Sequence, residues 1–292
     1  MMTRTLLLGL GILAYVFFGS AEGAEGLTSG SGGSQEEQAE LPAHLRWARR
    51  NPDRRPPPGA RREVRPEDKR WLMREYRRQS KPSQRVASTW LLAYVGDDEV
   101  FRLFSEALRL GPGSRRIDGS EWGGVRALLH GMGVMAQTND QAFQFLVGAI
   151  NPDWWRKERK WREISEAPGR NAVLASVAVQ VLGLSARSEA GVILDRMKKE
   201  GCNYVSPKDP REHRNLNTDA YTAKLYLEVS RKMGRDAFRY GLFGGEFERL
   251  SKEWKRSEQG LNWLEWCCPK DRWPDMWEDI SAYFERTERT VE

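Results

Sequence analysis

The amino-acid sequence predicts an all-α fold. From Ser83 onward, apolar residues recur at i, i+3, i+4 and i+7 between turn residues, the period of an amphipathic helix. Val/Ile/Thr alternation bounded by hairpin signals, the mark of a half-buried strand, does not occur in the sequence. The chain has 292 residues, 39% hydrophobic residues and 27 glycines, enough apolar material for a sizeable core. Its mean hydropathy of −0.68 is nevertheless low, so one part is strongly polar while the rest does the burying.

Residues 1–24 read as a secretory signal. Arg4 supplies the positive start, Leu6 to Gly19 is an uncharged run, and Gly19-Ser20-Ala21 fits a small-residue cleavage site, with Ala21-Glu22-Gly23 a second choice. The run is short for a membrane span, which needs ~17–25 residues. The expected address is therefore periplasmic or secreted, with an N-terminal membrane anchor as the alternative if the signal is retained. Residues 25–41, made of Gly, Ser, Gln and Glu, are expected to form a flexible tether.

Residues 42–82 are expected to form a basic Pro/Arg-rich arm with a short helix. Over 42–85 there are 15 Lys/Arg against 5 Asp/Glu, whereas the whole chain has a net charge of only +6. Arg54-Arg55-Pro56-Pro57-Pro58 is polyproline-like, and Pro66 to Gln79 sets Trp71, Leu72, Glu75 and Tyr76 at helical spacing. Charge segregated in this way suits attraction to an anionic surface. A solvated linker is the plainer reading.

Helical hairpins follow over 83–250. Val86, Trp90, Leu91 and Tyr94 begin the first pair, Gly96-Asp97 breaks it with Asp97 as N-cap, and Val100 to Leu108 complete it before Gly111-Pro112-Gly113. The second pair carries Trp122, Val125, Leu129, Met132 and Ala136. After a Thr138/Gln141 capping box, it continues with Phe143, Leu146, Ala149 and Ile150. In the third, Val173 to Leu182 is apolar on nearly all sides and should be the most buried helix; Ile193, Leu194 and Met197 follow it. The fourth carries Tyr221, Leu225, Val229 and Met233, then Phe238, Leu242 and Phe243. Residues 251–292 are expected to be a Trp-rich C-terminal helical cap, divided at Cys268-Pro269 and Trp273-Pro274.

Val100, Ala142, Ala190 and Ala237 are equivalent positions in the second helices, offset by 42, 48 and 47 residues. With that spacing, the segments LLAYVGDDEVFRLFSEAL (91–108) and VLASVAVQVLGLSARSEAGVIL (173–194) resemble HEAT-like, armadillo-type helical repeats. The resemblance implies a right-handed α-solenoid of about four to five hairpins, each unable to bury its two apolar faces alone. The sequence departs from the family pattern in lacking a Pro kink in the first helices and a recurrent Asp/Arg ladder, and insertions at 153–169 and 201–217 break the regularity. An irregular α-helical domain is the alternative. Scaffolding or protein recognition is what such a resemblance implies, and the repeat fold alone does not fix function.

Candidate contact residues come from three places. In the arm they are Arg54, Arg55, Arg61, Arg62 and Trp71. In the 153–161 insertion, aromatics alternate with cations through Trp154, Trp155, Arg156 and Trp161, a pattern that holds sugar rings or anionic polymers or packs on a neighbouring helix. In the long 201–217 loop they are Tyr204 and His213. Three cysteines exclude a disulfide-rich framework; the candidate bridge joins Cys202 to Cys267 or Cys268, with three unbridged thiols as the alternative. No C-x-x-C, H-E-x-x-H, G-x-S-x-G, S-x-x-K or phosphate loop occurs, so no metal, no cofactor and no catalysis is expected.

The expected function is an exported, non-catalytic scaffold or binding protein that presents a helical-repeat surface to a protein partner in the cell envelope. The alternative is a binder of anionic cell-surface polymer or lipid through the arm and the Trp/Arg insertion. A third reading, a polysaccharide hydrolase using carboxylates such as Asp118 and Glu121, has no further catalytic residues to support it. Nucleic acid is not expected as a partner of an exported chain.

Overall fold

Leu45 and Ala48 bury one side of the first helix, α1 (Ala43–Arg50). The computed structural model describes residues 41–111, 116–117, 121–163, 170–201, 203–205, 213–233, 245–274 and 277–278. The signal and tether of the sequence reading lie outside these residues, as do Phe238 to Phe243 and the chain from 279 onward. Leu41–Cys268 form one compact unit, and Met1–Glu40 with Pro269–Glu292 form another. In the second unit, Lys270 Nζ lies 4.7 Å from the centre of the Trp277 ring.

The described residues form an all-α fold with two short β ladders. After α1 comes α2 (Pro58–Arg62), with proline at its first turn, where a missing N–H costs nothing. A 3₁₀ turn at Pro66–Asp68 leads into α3 (Lys69–Arg78), whose Leu72, Met73 and Tyr76 are buried. These apolar faces hold residues 42–82 within the same unit as the later helices, so the expected arm is folded in rather than held away. Between α1 and α2, Pro57 keeps the extended backbone that the proline run predicts (φ −66°, ψ 161°).

The hairpins then follow. Helix α4 (Val86–Val95) is buried from Val86 to Ala93 and ends on Gly96 in the left-handed conformation (φ 64°). The Asp97 side chain accepts the Val100 N–H and starts α5 (Asp98–Leu110). Helices α6 (Trp122–Met135) and α7 (Asp140–Ala149) form the second pair. Asn139, not Thr138, caps α7, because its Oδ1 accepts the Ala142 N–H (3.0 Å) while its Nδ2 donates to Asp98 Oδ1 (3.0 Å). Thr138 has no such neighbour to answer. Helix α8 (Pro152–Glu158) starts the insertion, α9 (Arg170–Leu182) follows it, and α10 (Ser188–Glu200) packs against α11 (Asn217–Met233). Helices α12 (Glu246–Arg256) and α13 (Glu258–Cys267) end the unit, with Ser257 capping α13.

Helices α4, α6, α9 and α11 pack against one another in that order, and α3 lies against α4 at one end. α9 is buried over nine positions, as its all-round apolar sequence requires. Val100, Ala142 and Ala190, the aligned positions of the second helices, are each 0% exposed. Two glycines let backbones meet. A Cβ on Gly183 would lie 1.9 Å from the Ala223 carbonyl oxygen on α11, and one on Gly124 would lie 2.2 Å from that of Pro82.

Polar contacts tie successive helices together, mostly at their turns. Asn139 reaches Asp98, and Gln137 Nε2 donates to the Leu184 carbonyl (3.0 Å). Arg187 Nε donates to the Ala136 carbonyl (2.5 Å), Gln180 Nε2 to Asp219 (2.6 Å), and Arg231 to the Arg187 carbonyl (3.1 Å). The residues differ from step to step, which is why no repeated ladder shows in the sequence.

Two short ladders occur among the described connections, three of their four strands in the insertions. β1 (Arg116–Ile117) pairs in parallel with β2 (Arg162–Glu163), and β3 (Asn203–Val205) pairs antiparallel with β4 (His213–Asn215). At two or three residues they are too short for an alternation signal, so the sequence reading had no means of marking them. No described helix is long and apolar enough to cross a membrane.

Candidate partner-binding surface

The described arginines of residues 41–80 include an inward and an outward set. Arg55, on the α1–α2 connection, lies with its guanidinium carbon 4.7 Å from the centre of the Trp90 ring on α4. Arg61 is 2% exposed and reaches the Tyr94 hydroxyl at 3.5 Å. Burial, with Arg61 adding, lowers the Arg55 pKa to about 10. Behind Trp90 lies the His130 ring, 5.7 Å away, its Nδ1 donating to the Arg126 carbonyl (2.9 Å). Burial, with the charges of Arg55 and Arg126 adding, lowers the His130 pKa to about 4. Burial likewise pushes Tyr226, within electrostatic reach of Arg55, up to about 12. This cluster pins the α1–α2 connection across α4 and α6. His130 is held neutral at pH 7 with Nδ1 already used, so its part is packing.

The outward set lies on α3 and α1. Arg70, Arg74 and Arg77 are spaced i, i+4, i+7, opposite the buried Leu72, Met73 and Tyr76, and all three are exposed. None forms an ion pair with a described residue. Arg78 beside them is paired to Glu75 at 2.6 Å. At the start of the unit, Ala43, Arg46, Trp47, Arg50 and Asn51 line an open hollow on α1. Arg54 is exposed near the same end, and Trp71 is half-buried next to Arg70. Arg62 lies on α2, its side chain outside the described residues. Arg54, Arg55, Arg61 and Arg62 stand out in the sequence only as part of a charge run. The spacing of Arg70, Arg74 and Arg77 was the stronger signal, because only a helical period sorts an arginine run into an inward and an outward face.

No protein-family model, curated protein or solved structure matches the chain. The surface therefore rests on its own geometry.

The Trp/Arg insertion is turned largely inward. Trp155 and Trp161 are 0% and 1% exposed. Their indole N–H groups donate to the carbonyls of Ala149 (2.6 Å) and Leu108 (2.9 Å), which satisfies both in the interior. Trp154 packs edge-on against Phe145 and Trp155, with ring centres 4.9 Å apart in each case. Arg156 is drawn to Asp153 one turn earlier. Of the insertion's candidates, only Trp154 and Arg156 keep partial exposure. Tyr204 pairs with Arg214, and His213 with Val205, in the β3–β4 ladder; their side chains lie outside the described residues. Cys202 lies outside them too, and with it the candidate bridge. Glu121 precedes α6, while its suggested carboxylate partner Asp118 is outside the described residues.

Proposed function

We propose that the chain is an exported, non-catalytic binding protein. In this reading its hairpins form a right-handed α-solenoid of four to five HEAT-like units closed by a Trp-rich helical cap, and its first end engages an acidic surface of a protein partner in the cell envelope. The observation that carries the reading is the exposed stripe of Arg70, Arg74 and Arg77, which no described carboxylate neutralises. Three guanidinium forks on a rigid helix suit bidentate contacts to carboxylates, and the Trp47 hollow adds an aromatic anchor of the kind that dominates protein interfaces. The ordered packing of α4, α6, α9 and α11, joined by polar contacts at the turns, supports the solenoid. Export rests on the sequence of residues 1–24.

The experiment is a cross-linked pull-down from the native cell envelope, using the unsubstituted chain and an Arg70→Glu/Arg74→Glu/Arg77→Glu variant. The expected result is one protein recovered in near-stoichiometric amount after a moderate-salt wash, and its loss with the variant. Recovery of polysaccharide or lipid alone, lost with the same variant, would move the function to anionic polymer binding.

A further inference from the structure

The end of α13 brings two thiols together. Cys267 is its last residue and is 8% exposed, while Cys268 leaves helical geometry (φ −139°, ψ 75°) and is partly open to solvent. Their Sγ atoms stand 3.4 Å apart, well beyond the about 2.05 Å of a disulfide. Cys267 Sγ also lies 3.3 Å from the Leu264 carbonyl oxygen.

The flank of α13 is cationic. Lys198 of α10 bonds to Asn262 Oδ1, lies 4.8 Å from the centre of the Trp263 ring and is within electrostatic reach of Cys267. Lys224 of α11 approaches the same ring at 5.6 Å and is paired with Glu228 (3.2 Å) and Asp195 (3.5 Å). Tyr221 of α11 is within electrostatic reach of both thiols.

We propose that Cys267 and Cys268 form a two-thiolate site for a soft monovalent cation of the copper(I) type. Thiolates are soft donors that select such ions. Two donors suit a low-coordinate ion, whereas structural zinc takes four, and among the described residues no group of three or more His, Cys, Asp and Glu is placed to hold a metal. Binding replaces two S–H bonds by two S–metal bonds and releases two protons, with no change of oxidation state. The resulting complex carries one net negative charge, and Lys198 supplies the counter-charge. The sequence expectation of no metal rested on His spacing and C-x-x-C motifs, neither of which an adjacent pair uses.

The test titrates the reduced full-length chain, carrying Cys202→Ser, with copper(I) buffered by bicinchoninate in the absence of oxygen. One ion per chain is expected, with affinity at least tenfold weaker in Cys267→Ser and in Cys268→Ser and helical circular dichroism unchanged. Undiminished uptake in the Cys267→Ser/Cys268→Ser double variant would overturn the proposal, as would no uptake by the folded parent. A second measurement needs no substitution at the pair. Copper(I) should protect both thiols together from iodoacetamide, read by peptide mass spectrometry; labelling of both at an unchanged rate would likewise overturn the proposal.

Discussion

Arg187 joins the start of α10 to the α6–α7 turn: its Nη1 lies 2.6 Å from Asp140 Oδ1. The same side chain donates from Nε to the Ala136 carbonyl and stacks over Phe143, 4.9 Å from the ring centre. The Asp140 carboxylate is 86% exposed, so the ion pair itself contributes little, whereas the carbonyl bond and the stacking are shielded. Arg187→Ala should therefore destabilise the chain by about 2 kcal/mol and Asp140→Ala by about 0.5 kcal/mol or less. Urea unfolding of the two variants separates the contributions. Equal losses would mean that the exposed pair carries the link.

Trp161 ties the insertion to the end of α5 through the Leu108 carbonyl. Trp161→Phe keeps most of the buried area but loses that hydrogen bond, a cost of about 1 kcal/mol, while Trp161→Ala should cost about 3–5 kcal/mol. A loss below 1 kcal/mol for the alanine variant in chemical denaturation would show that the insertion is not part of the core.

His130 makes stability depend on pH. Its folded-state pKa of about 4 lies below the ordinary value of 6.5, so the unfolded chain binds more protons between these values. Its contribution is complete above about pH 6.5 and is lost as pH falls toward 4, by up to about 3 kcal/mol. His130→Gln should flatten this part of the curve in urea titrations at stepped pH. A curve of unchanged steepness would place the sensitivity elsewhere.

Gly183 lies where α11 passes closest. A methyl group there meets the Ala223 carbonyl oxygen at 1.9 Å, which backbone cannot yield without moving a helix. Gly183→Ala should cost more than about 2 kcal/mol through overpacking, although alanine is the better helix former. A neutral or raised melting temperature would show that the contact is looser than drawn.

Much of the helical pattern was legible. The 3.6-residue periodicity located α3 to α7 and α9 to α11, but it did not mark the break at Ser257 that separates α12 from α13; the alignment of Val100, Ala142 and Ala190 picked three fully buried positions. What the sequence hid depends on tertiary partners. Asn139 outcompetes Thr138 as a cap because Asp98, forty-one residues earlier, answers its amide. Arg55 and Arg61 look like arm charges until Trp90 and Tyr94 are placed beside them. Trp155 and Trp161 look like surface aromatics until backbone carbonyls take up their N–H groups. The outward stripe on α3 was visible as spacing, but its exposure follows only from the opposite face being buried.

The central claim is that the α1–α3 end is where the partner docks. Site-specific photo-crosslinking tests it most directly, with benzoylphenylalanine placed at Arg77 in one variant and at Val192 in another. Val192 is 61% exposed on α10, so it serves as an exposed control outside the proposed contact. The account predicts a single discrete protein adduct in the native envelope from position 77 and none from position 192. An adduct from position 192 with none from position 77 would contradict it.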